Sequence, residues 1–377
     1  MTDERALAER LISYDTSKQD GLCTAAGFVK GWLESQGLAV GDHSFNGLPV
    51  IVAEAGPADG PSLILHGHLD VVPGRPEQFV PRVEGDRLIG RGAYDMKGAL
   101  AAMMCALSDA AAQNRARVKL LCVPDEESEE LDERSTEELV SQGFTGDFAI
   151  TGEPTDLHIG VQAKGVLAMQ IEVSGRAAHS STPWQGDNAV LKAVDVFRQI
   201  ESLPFSRESS ELFDRPSINL GRLQGGDAVN KVPDACVMAV DIRYLPGQDP
   251  GEILAQIRRI PDVLVTRTFV HVPAIVSTRD PHVRALCDAV GRSVEGQALS
   301  VGRDGASDAV CFLEAGIPAV EFGAAGAGHH GPEEWVSVAS LSRYRRALGD
   351  FVAAIGAGLG EGQRDGSALH ALEGGLA

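Results

Sequence analysis

Long apolar runs are absent: no stretch of about 18 consecutive apolar residues occurs, so no membrane-spanning helix is expected. The N-terminus, Met1-Thr2-Asp3-Glu4-Arg5, lacks a basic region followed by an apolar one, so no secretory leader is expected and a cytoplasmic location is. Basic side chains are in short supply, with 33 Lys and Arg against 53 Asp and Glu and a net charge of -20. Nucleic acid and anionic membranes are therefore poor partners. The balance selects no substrate, because net surface charge does not fix the sign of one pocket. None of the six cysteines forms a CxxC pair, and Cys122 lies within the apolar run Leu120-Leu121-Cys122-Val123. Buried free thiols are expected rather than a disulfide framework.

What is present is a core and a set of polar strand ends. Hydrophobic residues make up 44% of 377, enough for two domains with real interiors. The first stretch alternates helices and strands. Helices are expected at 4–14, 23–36, 98–112 and 135–142, with strands at 50–53, 62–65, 118–123 and 148–151. The pattern changes after Gly165. Strand, helix, two strands, helix and strand follow, over 166–174, 189–201, 217–223, 236–244, 250–259 and 263–271. That order predicts a ferredoxin-like layer inserted in the larger α/β domain. The α/β pattern resumes with a helix at 282–290, a strand at 318–323 and a closing helix at 338–355. The chain thus divides into 1–165, an insertion at 166–277, a return at 278–356, and a frayed, glycine-rich tail at 357–377.

The polar residues gather where the strands end. His66-Gly67-His68-Leu69-Asp70 follows Leu63-Ile64-Leu65, and Asp95 precedes the alanine-rich helix from Ala99. Glu126-Glu127 follow the strand at 118–123, Glu153 follows the strand at 148–151, and His329-His330 follow the last core strand. Open α/β sheets bind ligands at such ends. Any one of these residues has an ordinary explanation: a surface glutamate, or an aspartate capping a helix. The coincidence of His68, Asp95, Glu127, Glu153 and His330 does not. Nitrogen and carboxylate donors suit two divalent ions, zinc first, with cobalt or manganese as alternatives. Asp95 is the natural bridge, because a short side chain can hold two ions about 3.5–4 Å apart. Asp70 is expected to accept the imidazole N–H of His68 and fix its ring. Of the adjacent pair Glu126-Glu127, one can ligate while the other collects a proton from an activated water and passes it to a leaving nitrogen. The run that follows, Ser128 to Glu133, reads as solvated surface. His179 lies in a polar loop of the insertion, from which it could donate to a developing oxyanion. Arg243 could clamp a substrate carboxylate, or simply pair with Asp241 or Glu172.

These strings resemble the M20 family of metallopeptidases and amidohydrolases. HGHLD, GRGAYDMKG, PDEES, TGEPT, GRAAHSSTP, GGDAVNKVP and the late histidine before Pro332 fall in family order, from about residue 5 to 355. The resemblance implies a zinc-exopeptidase-like catalytic domain with an inserted ferredoxin-like α+β lid and dimerisation domain. It implies that His68, Asp95 and Glu153 hold one ion, and Asp95, Glu127 and His330 the other. His330 is preferred to His329 because its spacing to Pro332 resembles the deacetylase pattern. Glu126 becomes the general base, with Asp70 orienting His68. His179 resembles the lid histidine that, in dimeric members, reaches the neighbouring subunit's site. Asn230 and Arg243 match lid positions that contact substrate, and Ser307 matches a substrate-side loop. The implied reaction cleaves the amide of an N-acyl amino acid, of the acetylornithine or succinyl-diaminopimelate type, to an amino acid and a carboxylic acid. The alternative is a metallo-dipeptidase or carboxypeptidase acting on short peptides. A homodimer is the implied assembly.

Overall fold

A computed structural model describes residues 3–128, 134–294 and 299–359. Its centre is a nine-stranded sheet. Across it run Ala39–Phe45, Leu48–Ala55, Arg117–Val123, Ser62–His68, Phe148–Thr151, Ala319–Glu321, Ile159–Ala163 and Ala274–Ile275, with Ser300–Arg303 also paired to Ile159–Ala163. The four strands from Arg117–Val123 to Ala319–Glu321 are mutually parallel, so their C-terminal ends open on one side. Alternation along each strand feeds two cores. Ile51, Leu63, Leu65, Leu120 and Cys122 face one, beneath the helices Glu4–Ile12, Gln19–Ser35, Gly98–Gln113, Pro281–Ser293 and Val338–Gly356. Val52, Ile64, Leu121 and Val123 face the other, with Leu139 and Phe312 from two short helices. The Gly98–Gln113 helix is sandwiched so deeply that most of its circumference is buried, which its alanine-rich sequence permits.

The second layer is a four-stranded antiparallel sheet in the order Ser217–Gly225, Ala235–Tyr244, Gly165–Ser174, Val263–His271. Leu167, Met169, Ile171 and Val173 alternate inward beneath the helices Ala189–Glu201 and Pro250–Arg258. The connectivity is β-α-β-β-α-β, the ferredoxin-like arrangement. Only Lys164 separates Ile159–Ala163 from Gly165–Ser174, and the chain returns at Ala274–Ile275 to pair with Ile159–Ala163. Tyr244 closes this crossing. Its hydroxyl donates to the carbonyl of His271 at 3.1 Å, and its ring lies where a side chain on Gly165 would otherwise stand.

A third sheet, Gly326–Ala327, Trp335–Ser337, Arg87–Ile89 and Arg82–Glu84, brings the 326–337 segment against the 90–95 turn. The sequence pattern does not anticipate it, because its strands are only two or three residues long. Ile159–Ala163 and Ser300–Arg303 are likewise unanticipated, the latter half-buried with no alternation to read. The expected strand at 318–323 is shorter, Ala319–Glu321. The first helix stops at Ile12, and the second starts earlier, at Gln19. Most of the tail from 357 lies outside the described residues. Among the described residues, no helix is long and apolar enough to cross a membrane.

Candidate metal centre

The open ends of the parallel strands meet the 91–95 turn and the 326–334 loop. His68 is fully buried at the end of its strand. Its Nδ1 lies 3.0 Å from the main-chain oxygen of Asp70, so the N–H points there and Nε2 points inward. Nε2 stands 3.0 Å from Asp95 Oδ1 and 3.7 Å from Glu153 Oε1. Asp70 meets His68 Nδ1 through its backbone oxygen and, at 3.5 Å, through Oδ1 of the carboxylate that the sequence suggests. The same carboxylate also accepts the main-chain N–H groups of Glu126 at 3.3 Å and Glu127 at 2.8 Å. On the other side of Asp95, Oδ2 is met by His329 and, at 3.4 Å, by His330 Nε2. His330 Nε2 also reaches Glu127 Oε1 at 2.9 Å.

Asp95 therefore stands between two donor sets. His68, Asp95 and Glu153 offer ligand atoms within 4.8 Å of one another, and so do Asp95, His329 and His330. Gly67 and Gly152 make this approach possible. A Cβ on Gly67 would lie 2.6 Å from the Met96 methyl, and one on Gly152 would lie 2.4 Å from it. Met96 is fully buried, so it has little room to give. The residue beside Asp95 thus packs directly on both glycines that flank the His68 and Glu153 strand ends.

The electrostatics are those of a cation site. Burial raises the Glu153 pKa, and the Asp95 charge adds to this, holding it well above 4.5. Its Oε1 is buried without a hydrogen-bond partner. Burial also acts against ionised Asp95, but hydrogen bonds from His329, His330 and His68 outweigh it and hold the carboxyl well below 3.8. His330, bonded to Asp95 and Glu127, is pushed up to about 10. Positive charge placed between carboxylates this crowded would favour their ionised forms. An orphaned carboxylate oxygen beside imidazole nitrogens, with a second carboxylate facing both ways, fits divalent cations with nitrogen and oxygen donors.

Three further features went unread in the sequence. The first is Glu334, which is 1% exposed. Its Oε2 accepts from Arg91 Nη1 at 2.8 Å and Gly92 N at 3.0 Å, and its Oε1 from Tyr94 N at 3.0 Å and Asp95 N at 3.1 Å. One carboxylate thereby sets the whole turn that presents Asp95, and Arg91 Nη2 donates in turn to the carbonyl of His330 at 3.1 Å. Glu334→Ala should cost about 3–5 kcal/mol in urea unfolding, the penalty for stranding a buried partner charge. The third small sheet brings Glu334 there, and its only signal in the sequence is a charged residue after Pro332-Glu333.

The second is His66. Thr136 gives its hydroxyl proton to Asp308 Oδ2 at 2.8 Å, so the contact of His66 Nε2 with Thr136 Oγ1 at 2.9 Å has the imidazole donating. His66 Nδ1 is buried without a partner. Burial lowers the pKa of His66 to about 4, against a raising influence from Asp308. The folded state then binds fewer protons than the unfolded one. Stability is lost as pH falls from about 6.5 toward about 4, by ~3 kcal/mol over the full range. Urea unfolding between pH 7 and 4.5 should show a shallower decline in His66→Gln than in the unaltered protein. The third feature is Arg134, beside Glu126, taken up below.

The candidate lid residues lie apart from this centre. His179 is exposed, with Nδ1 2.8 Å from Ser181 Oγ and accepting Ser181 N at 3.1 Å. Asn230 is its neighbour, its carbonyl accepting Ser180 N at 3.0 Å. Arg243 Nε donates to Asp241 Oδ2 at 2.9 Å, one of the two pairings read from the sequence. No hydrogen bond or ion pair among the described residues links His179, Asn230 or Arg243 to the metal centre. Ser307 is buried beside Glu321, whose carboxyl it helps to hold.

A parallel-stranded α/β domain with an inserted ferredoxin-like layer, and with carboxylates and imidazoles converging at the strand ends, defines a metal-dependent hydrolase. The profile of Peptidase family M20/M25/M40 matches residues 64–354, and the chain belongs to that family. It is 29% identical over 341 residues to a succinyl-diaminopimelate desuccinylase of Halorhodospira halophila, covering 84% of this chain and 86% of that one. It is 30% identical over 377 aligned residues to an acetylornithine deacetylase of Myxococcus xanthus, covering 93% and 96%. The fold is similar to that of a tripeptidase from Staphylococcus aureus, with a TM-score of 0.78 at 21% identity over 95% of this chain and all of that one.

Proposed function

We propose that the protein is a dinuclear-metal amidohydrolase that cleaves an N-acyl amino acid to an amino acid and a carboxylic acid. The observation that carries this is Asp95, whose two carboxylate oxygens face separate donor sets beside the Glu126-Glu127 corner. His68, Asp95 and Glu153 would hold one ion, and Asp95, Glu127 and His330 the other, with zinc the leading candidate and cobalt or manganese as substitutes. His329, which also meets Asp95 Oδ2, is the competing ligand for the second place. When bound, such ions polarise the amide carbonyl and make a water acidic enough to attack near neutral pH. Glu126 takes the proton of the attacking water and returns it to the leaving nitrogen, so amide becomes amine plus carboxylic acid. Asp70 supports both parts, holding the His68 ring and the main chain of Glu126 and Glu127.

The segments 1–165 and 278–356 form the catalytic unit in this reading, and 166–277 the lid. Asn230 and Arg243 contact the substrate carboxylate when the lid is over the site. Arg243 spends Nε on Asp241, so its terminal nitrogens make that contact. His179 stabilises the oxyanion from a second copy of the chain in a homodimer. An exposed apolar face on the lid helix, Leu191 at 64% and Val194 at 39%, supports that assembly.

The nature of the desuccinylase and deacetylase relatives favours acyl diamino acids as substrates. The test is hydrolysis of N-acetylornithine, N-succinyl-diaminopimelate, other N-acetyl amino acids and simple dipeptides with zinc or cobalt added. A strong preference for one N-acyl substrate is expected. Cleavage of dipeptides alone would make the protein an exopeptidase of the same family.

A further inference from the structure

The proton-transferring carboxylate of Glu126 does not sit on a strand or a helix. It follows the strand Arg117–Val123 at an irregular corner, where the backbone has no ladder to hold it. One side of that corner is already accounted for: the Asp70 carboxylate accepts the N–H groups of Glu126 and Glu127. The opposite side is held by Arg134. Its Nη1 donates to the carbonyl of Glu126 at 2.6 Å, and its Nη2 to the carbonyl of Ser128 at 3.3 Å. The same Nη1 lies 3.8 Å from Glu126 Oε1 and 3.7 Å from Asp308 Oδ1.

Asp308 anchors the guanidinium from behind. It is 5% exposed, and its second oxygen accepts from Thr136 and lies 3.5 Å from Nε2 of His66, two residues before His68 on the same strand. The corner is pinned once more by Asp125, whose Oδ2 accepts from both N and Oγ of Ser135, at 2.9 Å and 2.7 Å. The base, the His68 strand and the 134–136 segment therefore share one hydrogen-bonded frame, with the guanidinium at its centre.

We infer that Arg134 is a positioning residue for Glu126, clamping the corner from its carbonyl side while Asp70 clamps it from the amide side. The inference rests on the reading of Glu126 as the base. A planar fork suits the task, since two donors in fixed relation span two carbonyls, which a lysine ammonium on a flexible stem does not reproduce. The 3.8 Å separation from Oε1 matters as well. It is an ion-pair distance and not a hydrogen bond, so the guanidinium attracts the carboxylate without occupying the lone pairs that take up and release the proton. A base displaced by about 1 Å can cost roughly 100-fold in rate.

The experiment compares Arg134→Gln, Arg134→Lys, Glu126→Gln and the double variant Glu126→Gln with Arg134→Gln. Steady-state kinetics on the N-acyl amino acid that the unaltered enzyme hydrolyses are combined with metal content by elemental analysis. Arg134→Gln should lose about 100-fold in kcat, with KM within about twofold and metal content unchanged. Arg134→Lys should recover part of the loss. The double variant should be no slower than Glu126→Gln alone, because both changes act through one group. A raised KM with intact kcat would make Arg134 a substrate-binding residue and overturn the inference. Losses that multiply in the double variant would overturn it too. If Arg134→Gln does not fold, Arg134→Lys carries the test: kcat equal to the unaltered enzyme contradicts the clamp, and a fall at unchanged KM and metal content supports it. Full activity in Glu126→Gln refutes the base assignment itself. An inactive Glu126→Gln beside a fully active, metal-loaded Arg134→Gln refutes the clamp alone.

Discussion

Glu126→Gln should reduce kcat by about 10²–10⁴-fold while leaving metal content intact, the range expected when one proton-transfer group is removed. Glutamine matches glutamate in shape but cannot take a proton from the attacking water. The backbone contacts that hold the corner do not depend on the side chain: Asp70 binds the N–H groups of Glu126 and Glu127, and Arg134 the carbonyl of Glu126. All the proposed ligands remain. Burial, reinforced by Asp308, Asp95 and Glu127 against an opposing influence from His68, raises the Glu126 pKa to about 8. Kinetics and elemental analysis on the same sample check both halves. More than a tenth of the original kcat in Glu126→Gln would remove this residue from the chemistry.

Asp95→Asn should do more, because it belongs to both donor sets. One oxygen faces His68 and the other His330 and His329. In the proposed two-ion reading, removing its charge would leave each cation one anionic ligand short and would take away the group that could bridge them. The expected result is loss of both ions after dialysis, and activity below about one thousandth of the original. Glu153→Gln provides the contrast. It touches only the His68 side, so it should weaken one ion and spare the other. Retention of two ions by Asp95→Asn would show that the aspartate does not bridge.

How much of this was readable beforehand follows from what each residue depends on. His68, Glu126, Glu127 and Glu153 were legible because each follows an apolar strand. A strand's end is set by local alternation and by the polar residues that stop it. Asp95 was legible because it precedes a helix too apolar to be anything but buried. The ferredoxin-like layer was legible because Leu167 to Val173 and Cys236 to Tyr244 alternate over long strands. Glu334 and Arg134 were not. Each sits among other charged residues, where a buried carboxylate or a half-buried guanidinium looks like solvated surface. What places them is a small sheet of very short strands in one case, and hydrogen bonds to the carbonyls of Glu126 and Ser128 in the other. The pair His329 and His330 shows the same limit, since both reach Asp95 and their difference lies in which also reaches Glu127. Asp70 was legible as a neighbour of His68, but its second contact was not: a sequence cannot show that the same carboxylate also receives the main-chain N–H groups of Glu126 and Glu127.

The most direct test is a zinc titration of the metal-stripped protein by isothermal calorimetry, with elemental analysis of the reloaded and dialysed sample. Two ions per chain in the unaltered protein, with neither retained by Asp95→Asn, is the result the dinuclear account predicts. One ion per chain, or two that survive the loss of Asp95, would contradict it.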